Sequence, residues 1–499
     1  MTMKLFRTIA FWTLAVGLLV CHLVVIQHSL TARFWEDEAF NLTVPLNLLA
    51  GLGYSSDGAL SGSTITPFDA RISTGPVVLL PVAGMLLFGG DPVISARLVP
   101  VMFWLLLIAG MAVLGARVGG RWAALVGAAV PLAFNGLGSI SPIQGPADLL
   151  GEIPAAALLV WALIAVRKRP WLAGLLVGLA VQAKLIALLA LPAFAVMIWV
   201  GSPGRGWARI GQTFVRGWLP LVMVGVPTLL FELWALVSLG LSGFVDHLRQ
   251  VKRFLLSGGQ SGQATTVSQK LETLSGAWFV PNWAAWLTAA IVVALVVAGL
   301  IEVRRRGRLR RRSLALALTA AVGALAFVAW WSTAAHTPLW VRHPAVGVLA
   351  FFPALVIVAC WGAHELMTPR VSRAESASTA SEPVNVRRIA GGVLAAALSA
   401  SLVWSISGHV QQTFIPRGET LATQRADVAV IADWVDETDT EWLAAAPWGA
   451  AVAPIVMSGA HVGLFDAPSM ASTPRLTGQT CDTEVLVEAG RYRVCAPTG

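Results

Sequence analysis

Of the chain's 499 residues, 56% are hydrophobic and only 12% are charged, too few polar side chains to clothe an ordinary soluble globule. Several apolar runs reach the roughly 20 residues that a helix needs to cross a hydrocarbon core of about 30 Å, and the alternation of a β-barrel is absent. The net charge of +9 does not indicate a nucleic-acid partner, because the arginines fall in short blocks between apolar runs, as cytoplasmic loops require.

The composition therefore predicts an all-α, polytopic membrane protein. Its first apolar run, Thr8 to Leu30, follows Lys4 and Arg7, is too long for a signal-peptide core and has no small-residue cleavage site after it. It is expected to stay as an anchor, with the N-terminus cytoplasmic. Thr31 to about Ser73 reads as a long polar outer loop that carries Glu36-Asp37-Glu38 between Trp35 and Phe40. Thr74 to Gly90 follows, apolar but only 17 residues long and holding Pro76 and Pro81. At 1.5 Å per residue it reaches about 25 Å, so it is expected to lie along the outer face or dip into it.

The arginine blocks orient the rest. With Arg304 to Arg312, the turn Arg167-Lys168-Arg169 and the loop with Arg205, Arg209 and Arg216 fixed inside, ten further crossings are expected. They are Ser95 to Gly115, Gly119 to Phe134, Gly151 to Val166, Trp171 to Ala187, Leu188 to Gly201, Gly217 to Gly240, Trp283 to Ile301, Ser313 to Trp331, Pro344 to Trp361 and Ile389 to Ser407. The first run makes about eleven, which brings the C-terminus outside. The long loops then all lie on the outer face, which places the chemistry there. Thr368 to Val386, rich in Ser, Ala and Glu, reads as a flexible cytoplasmic linker. The expected division is a transmembrane domain over 1–407, with 31–92 as its first outer loop, and an extracytoplasmic domain over 408–499. That tail reads as a small α/β cap, helical near Ala426 to Val435 and strand-like at Glu484 to Glu488 and Arg491 to Val494. Cys481 and Cys495 are expected to pair if the tail is extracytoplasmic and to be free thiols if it is not, whereas Cys21 and Cys360 pack as small hydrophobes.

Ionisable side chains at membrane edges are the candidates for chemistry. Asp37 is expected to be the reaction centre; the plainer reading is a solvated carboxylate at a helix end. Asp148 and Glu152, four residues apart, share a face if their helix begins by Ala147, and can then bind a divalent cation or position a hydroxyl near Asp37. The alternative is that Asp148 caps the helix and Glu152 meets its positive end. Lys184 interrupts an apolar run, where a lysine can simply snorkel or can meet a lipid phosphate. Arg342-His343-Pro344, after Trp340, sets a second cation at an outer helix start, as a phosphate ligand or an interfacial anchor. Arg249, Lys252 and Arg253 form a basic patch beside a glycine-rich loop, Ser257 to Gln263, and Glu232 needs a partner that the sequence does not name. His336 and His343 lack metal-ligand spacing, and without a phosphate-cradling glycine loop, zinc motif or nucleophile elbow, soluble nucleotide chemistry is not expected.

Trp35-Glu36-Asp37-Glu38-Ala39-Phe40, followed by Asn47 to Tyr54, resembles the membrane glycosyltransferases of the GT-C superfamily, in the branch of protein O-mannosyltransferases and the lipid A aminoarabinose transferase. The likeness continues through Ser73-Thr74-Gly75-Pro76, Asp148 to Glu152, Lys184 and Trp340 to Pro344, and spans residues 30 to 355. It implies a polyprenyl-phosphate sugar donor, a glycan, lipid or protein acceptor, and inverting transfer on the outer side of the cell inner or plasma membrane. Asp37 matches the first acid of the family's Asp-Glu pair, the base or acceptor-positioning group, and Glu38 matches its partner. Asp148 or Glu152 corresponds to the second acidic site, and Lys184, Arg342 and His343 to the donor-phosphate contacts. Glu36 as a third acid and the spacing of four in the second loop depart from the pattern, which leaves a divalent cation (Mg or Mn) open. The rival expectations are a transporter or flippase, against which the lack of an internal repeat and the charges at one face both count, and a scaffold or sensor with an outer cap.

Overall fold

The computed structural model describes residues 3–59, 61–134, 145–256, 264–307, 311–369, 386–447 and 449–497. The glycine-rich loop from Ser257 to Gln263, most of the expected linker and part of the outer loop before Leu150 lie outside these residues.

The long apolar runs are helices. α1 (Met3–Leu30) lies at the bundle's surface, with Phe6, Trp12 and Val16 more than half exposed. The acidic triplet then opens a helix, α2 (Glu36–Leu49), rather than lying in a loop. Three carboxylates in a first turn sit against the positive end of the helix dipole, which favours starting there. A short hairpin, β1 (Ser55–Ser56) with β2 (Thr66–Pro67), leads to α3 (Pro76–Leu86). The 11 residues of α3 span only about 16 Å, well short of the hydrocarbon core.

α4 (Pro92–Ala129) is two antiparallel arms joined at Gly120, whose φ of +79° an L side chain rarely adopts. A Cβ on Gly115 would stand 2.3 Å from the Ala123 carbonyl oxygen, so the arms touch backbone to backbone. The two spans expected here are thus real as segments, with a final 3-10 turn at Val130–Ala133. α5 (Glu152–Ala165) and α6 (Pro170–Ala183) follow. Lys184, with extended backbone, ends α6, and a 3-10 stretch Leu185–Ala190 leads into α7 (Leu191–Gly201). The expected break in this run therefore falls at Lys184, not at 187.

α8 (Gly206–Leu256) runs past the expected crossing end at Gly240: that glycine (φ +69°) joins two helical arms, and Glu232 on one and His247 on the other both reach the pair Asp69–Arg71. α8 packs closely on α6 because Gly174 and Gly178 admit the Pro220 and Val224 carbonyls, at 2.1 and 2.4 Å from a would-be Cβ. α9 (Val267–Ser275) opens on a capping box at Thr266. α10 (Asn282–Arg305), α11 (Arg311–Thr333), α12 (Arg342–Met367) and α13 (Val386–Gln412) fall where crossings were expected. α12 is the axis of the bundle: its Gly347 seats Phe327 of α11, and its Gly362 meets Gly299 of α10. Among the described residues, seven helices are long and apolar enough to cross a membrane, and shorter apolar helices at 76–86, 152–165, 170–183 and 185–201 pack with them.

The tail is a small α/β domain. α14 (Leu421–Thr438), β3 (Trp442–Ala445), α15 (Val452–Ser458), β4 (His461–Leu464), β5 (Arg475–Thr477), β6 (Val485–Ala489) and β7 (Tyr492–Cys495) build a five-stranded sheet in the order β4-β3-β5-β7-β6. β3 is parallel to β4 and β5; the pairs with β7 are antiparallel. Cys481 and Cys495 are disulfide-bonded. The domain docks on the first loop: Gly58 N donates to Val462 O at 2.8 Å, and buried Asp57 accepts from Val462 N at 2.9 Å.

Candidate active site

The start of α2 is held from both sides. Gln424 of α14 clamps the backbone of Phe34, accepting from its N–H at 2.9 Å and donating to its carbonyl at 3.0 Å. On the bundle side, Glu38 and Arg97 form an ion pair at 2.6 Å with both side chains wholly buried. Arg97 also donates to the carbonyls of Leu30, Ala32 and Arg33, and Glu38 accepts from Leu149 N at 3.0 Å. One charge pair thus ties the end of α1, the start of α2, α4 and the loop before α5. A buried pair tolerates desolvation only when its remaining donors and acceptors are met, as they are here.

Glu38 is therefore not beside the reaction centre as expected. Successive helix residues point about 100° apart, so with Glu38 fixed on Arg97, Asp37 turns to the other side. There it lines a cavity of about 890 Å³ that Glu152, Lys184, Arg342 and His343 also line. Asp37 accepts from Nη1 of Arg342. That guanidinium lies between two rings, 4.3 Å from the centre of Trp340 and 5.3 Å from that of Trp35, which holds its plane. Across the cavity, Glu152 Oε1 pairs with Lys184 Nζ at 3.0 Å. Glu152 is 1% exposed, and its Oε2 has no hydrogen-bond partner among the described residues.

Three backbones converge to place Lys184. Gly75 N donates to Ala183 O at 3.1 Å, and a Cβ on Gly151 would stand 2.1 Å from that same oxygen. A Cβ on Gly75 would stand 2.0 Å from the Gln182 carbonyl. The glycine within Ser73 to Pro76 is thus a close-packing residue beside the site.

Asp148 does not share a helix face with Glu152. α5 begins only at Glu152, because the backbone of Leu149 is already taken by Glu38 at its N–H and by Asn41 at its carbonyl, 2.8 Å. Asp148 instead accepts from Gly145 N at 2.7 Å and is not among the cavity's lining residues. Burial, and then the Glu38 charge, push its carboxyl up to about 7. Asp148 and Glu152 thus do not share one helix face, and among the described residues no group of three or more His, Cys, Asp or Glu is placed to hold a metal ion.

Several residues of the site escaped the sequence reading. Arg71 also lines the cavity and bridges Asp69 to Glu232, the latter at 2.7 Å, which supplies the partner that Glu232 lacked. His247 adds a contact to Asp69 at 3.2 Å; burial pulls that carboxyl up, but His247 and Arg71 together outweigh it and hold the carboxyl well below its ordinary range. Lys270 of α9 donates to Trp331 O and Thr337 Oγ1 at 2.7 and 2.6 Å, pinning the 334–340 segment that forms one cavity wall. Arg97 carried the readiest signal, a charge inside an apolar run.

No protein-family model and no curated protein matches the chain, but solved structures do. ArnT from Cupriavidus metallidurans, in its apo state, aligns over 97% of both chains at 14% identity with a TM-score of 0.57. The same protein bound to undecaprenyl phosphate gives 0.58 over the same shares. The archaeal oligosaccharyltransferase AglB from Archaeoglobus fulgidus, in complex with an inhibitory peptide and a dolichol-phosphate, aligns over 92% of this chain and 64% of its own at 12% identity, with a TM-score of 0.50. At such identities the likeness is one of architecture, and by that architecture the chain has the GT-C fold of polytopic membrane glycosyltransferases.

Proposed function

We propose that the chain transfers a sugar from a polyprenyl-phosphate donor to an acceptor hydroxyl at the extracytoplasmic face, with inversion and with Asp37 as base. The observation that carries this reading is the cavity, where a carboxylate at a helix start, three cations and a row of apolar residues face one another. Arg342, Lys184 and Arg71 suit the leaving phosphate, and Leu185, Leu188, Leu189 and Trp330 suit a prenyl chain. The fold shared with a protein solved with undecaprenyl phosphate, and with one solved with dolichol-phosphate, supports the donor class.

Each residue has a task in this scheme. The donor phosphate competes with Asp37 for Arg342, and its binding leaves the carboxylate to accept the acceptor's proton. The acceptor oxygen attacks the anomeric carbon as the bond to phosphate breaks, and polyprenyl phosphate departs with the electron pair. Glu152, steadied by Lys184, offers Oε2 to a sugar hydroxyl. Glu38 keeps α2 in place.

Purified protein incubated with radiolabelled polyprenyl-phosphate sugars and envelope acceptors tests the proposal. Sugar transfer is expected, and Asp37→Asn should lower it by about 10²- to 10⁴-fold while the chain elutes and melts as wild type does. Full activity in that variant, or movement of unaltered donor across a vesicle without transfer, overturns the reading.

A further inference from the structure

The cavity around Asp37 sits where α5 and α12 begin. At the far ends of the same helices lies a second cavity of about 820 Å³ that sugar transfer leaves unused. From Arg342 to Glu365 is 23 residues of α12, or about 34 Å. That is close to the hydrocarbon thickness of about 30 Å, so the two cavities open toward opposite leaflets. Leu163, Val358 and Trp361 wall the second cavity, and Arg117 and Arg167 line it as well, both exposed to solvent. A third cavity, of about 550 Å³, shares Arg167 and Met197 with it and carries Arg216.

The charges there are unmatched. Among the described residues Arg117 reaches only the Ile164 carbonyl, at 3.5 Å, and Arg167 has no hydrogen-bond or ion-pair partner. Glu365, the acid lining the cavity, is already met by Arg306 at 3.5 Å. The arginine-rich ends of α10 and α11 lie on this side too, the face expected to be cytoplasmic.

We propose that this pair of cavities binds one diacyl anionic phospholipid of the inner leaflet, its phosphate held by Arg117 and Arg167 and one acyl chain in each cavity. Guanidinium groups bind phosphate through paired N–H donors, and the anionic inner leaflet concentrates such lipids beside basic residues. Two cavities with aliphatic and tryptophan walls, meeting at Arg167, suit two chains on one headgroup, whereas a single prenyl chain fills only one. Bound there, the lipid ties the α4 hairpin, α5 and α7 to α12 at the ends remote from the reaction.

The full-length chain, stripped of lipid in mild detergent, is titrated with phosphatidylglycerol, with phosphatidylcholine of the same chain length and with undecaprenyl phosphate, and read by native mass spectrometry. One phosphatidylglycerol per chain is expected at a concentration at least tenfold below that needed for phosphatidylcholine. Arg117→Gln with Arg167→Gln should weaken it at least tenfold, and since both side chains are exposed, the fold is not at risk. Arg205→Gln, exposed and outside both cavities, should change nothing. Val358→Trp, which fills the wall and leaves both arginines, should also weaken retention. Equal binding of the two phospholipids, no effect of the double change, an equal effect of Arg205→Gln, or displacement by equimolar undecaprenyl phosphate would each overturn the proposal.

Discussion

Asp37 and Glu38 are chain neighbours with opposite surroundings, one lining a cavity and the other sealed on Arg97. Glu38→Gln leaves a buried guanidinium without its counter-charge, so the chain should lose about 3–5 kcal/mol of stability. Glu38→Met combined with Arg97→Met removes both charges and should recover part of that loss; thermal unfolding in detergent measures the two together. Asp148 gives a pH signature. Its carboxyl ionises near 7 when folded but near its ordinary value when unfolded, so the native state binds more protons between the two. Its contribution to stability is therefore complete below the ordinary value and is lost as pH rises toward about 7. The melting temperature of the wild type should fall between about pH 4 and about pH 7, and Asp148→Asn, which keeps an acceptor for Gly145, should flatten that slope.

At the scale of elements, the site depends on how helix ends meet. Lys184 is aimed by the junction of Gly75, Gly151 and Ala183, where backbone packs on backbone and nothing flexible can yield. Gly75→Ala should therefore destabilise the chain by about 1–3 kcal/mol and lower transfer more than that loss explains, since it shifts the Lys184–Glu152 pair. Parallel melting curves and transfer assays show whether the two effects separate. The turns at Gly120 and Gly240 belong to this scale as well: both glycines take a left-handed φ with an extended ψ, and each joins two helical arms.

Over the whole molecule, the cap acts on the site through α2. Arg33 pairs with Glu419 at 3.1 Å, Gln424 holds Phe34, and Asp57 joins the first loop to β4. The disulfide lies at the end of β7, three strands from the β4 edge that meets the first loop, and closes a separation of 14 residues. Cys481→Ser with Cys495→Ser should cost the cap about 3 kcal/mol while leaving transfer nearly unchanged at low temperature. Limited proteolysis reports the cap, and the transfer assay reports the site.

Read alone, the sequence determined the helical membrane class, the positions of α10 to α13, the cap with its cysteine pair, and the ions Asp37, Glu152, Lys184 and Arg342 that share the cavity. These were legible because apolar length and a charge within an apolar run are properties of the local chain. Only the tertiary structure decided that Glu38 belongs to Arg97, that Asp148 stands outside the cavity, that Arg71 answers Glu232, and that α2 starts at the acidic triplet. Each of these is settled by a partner distant in the chain, and a buried charge or an unmet backbone group takes whichever partner the packing brings within reach.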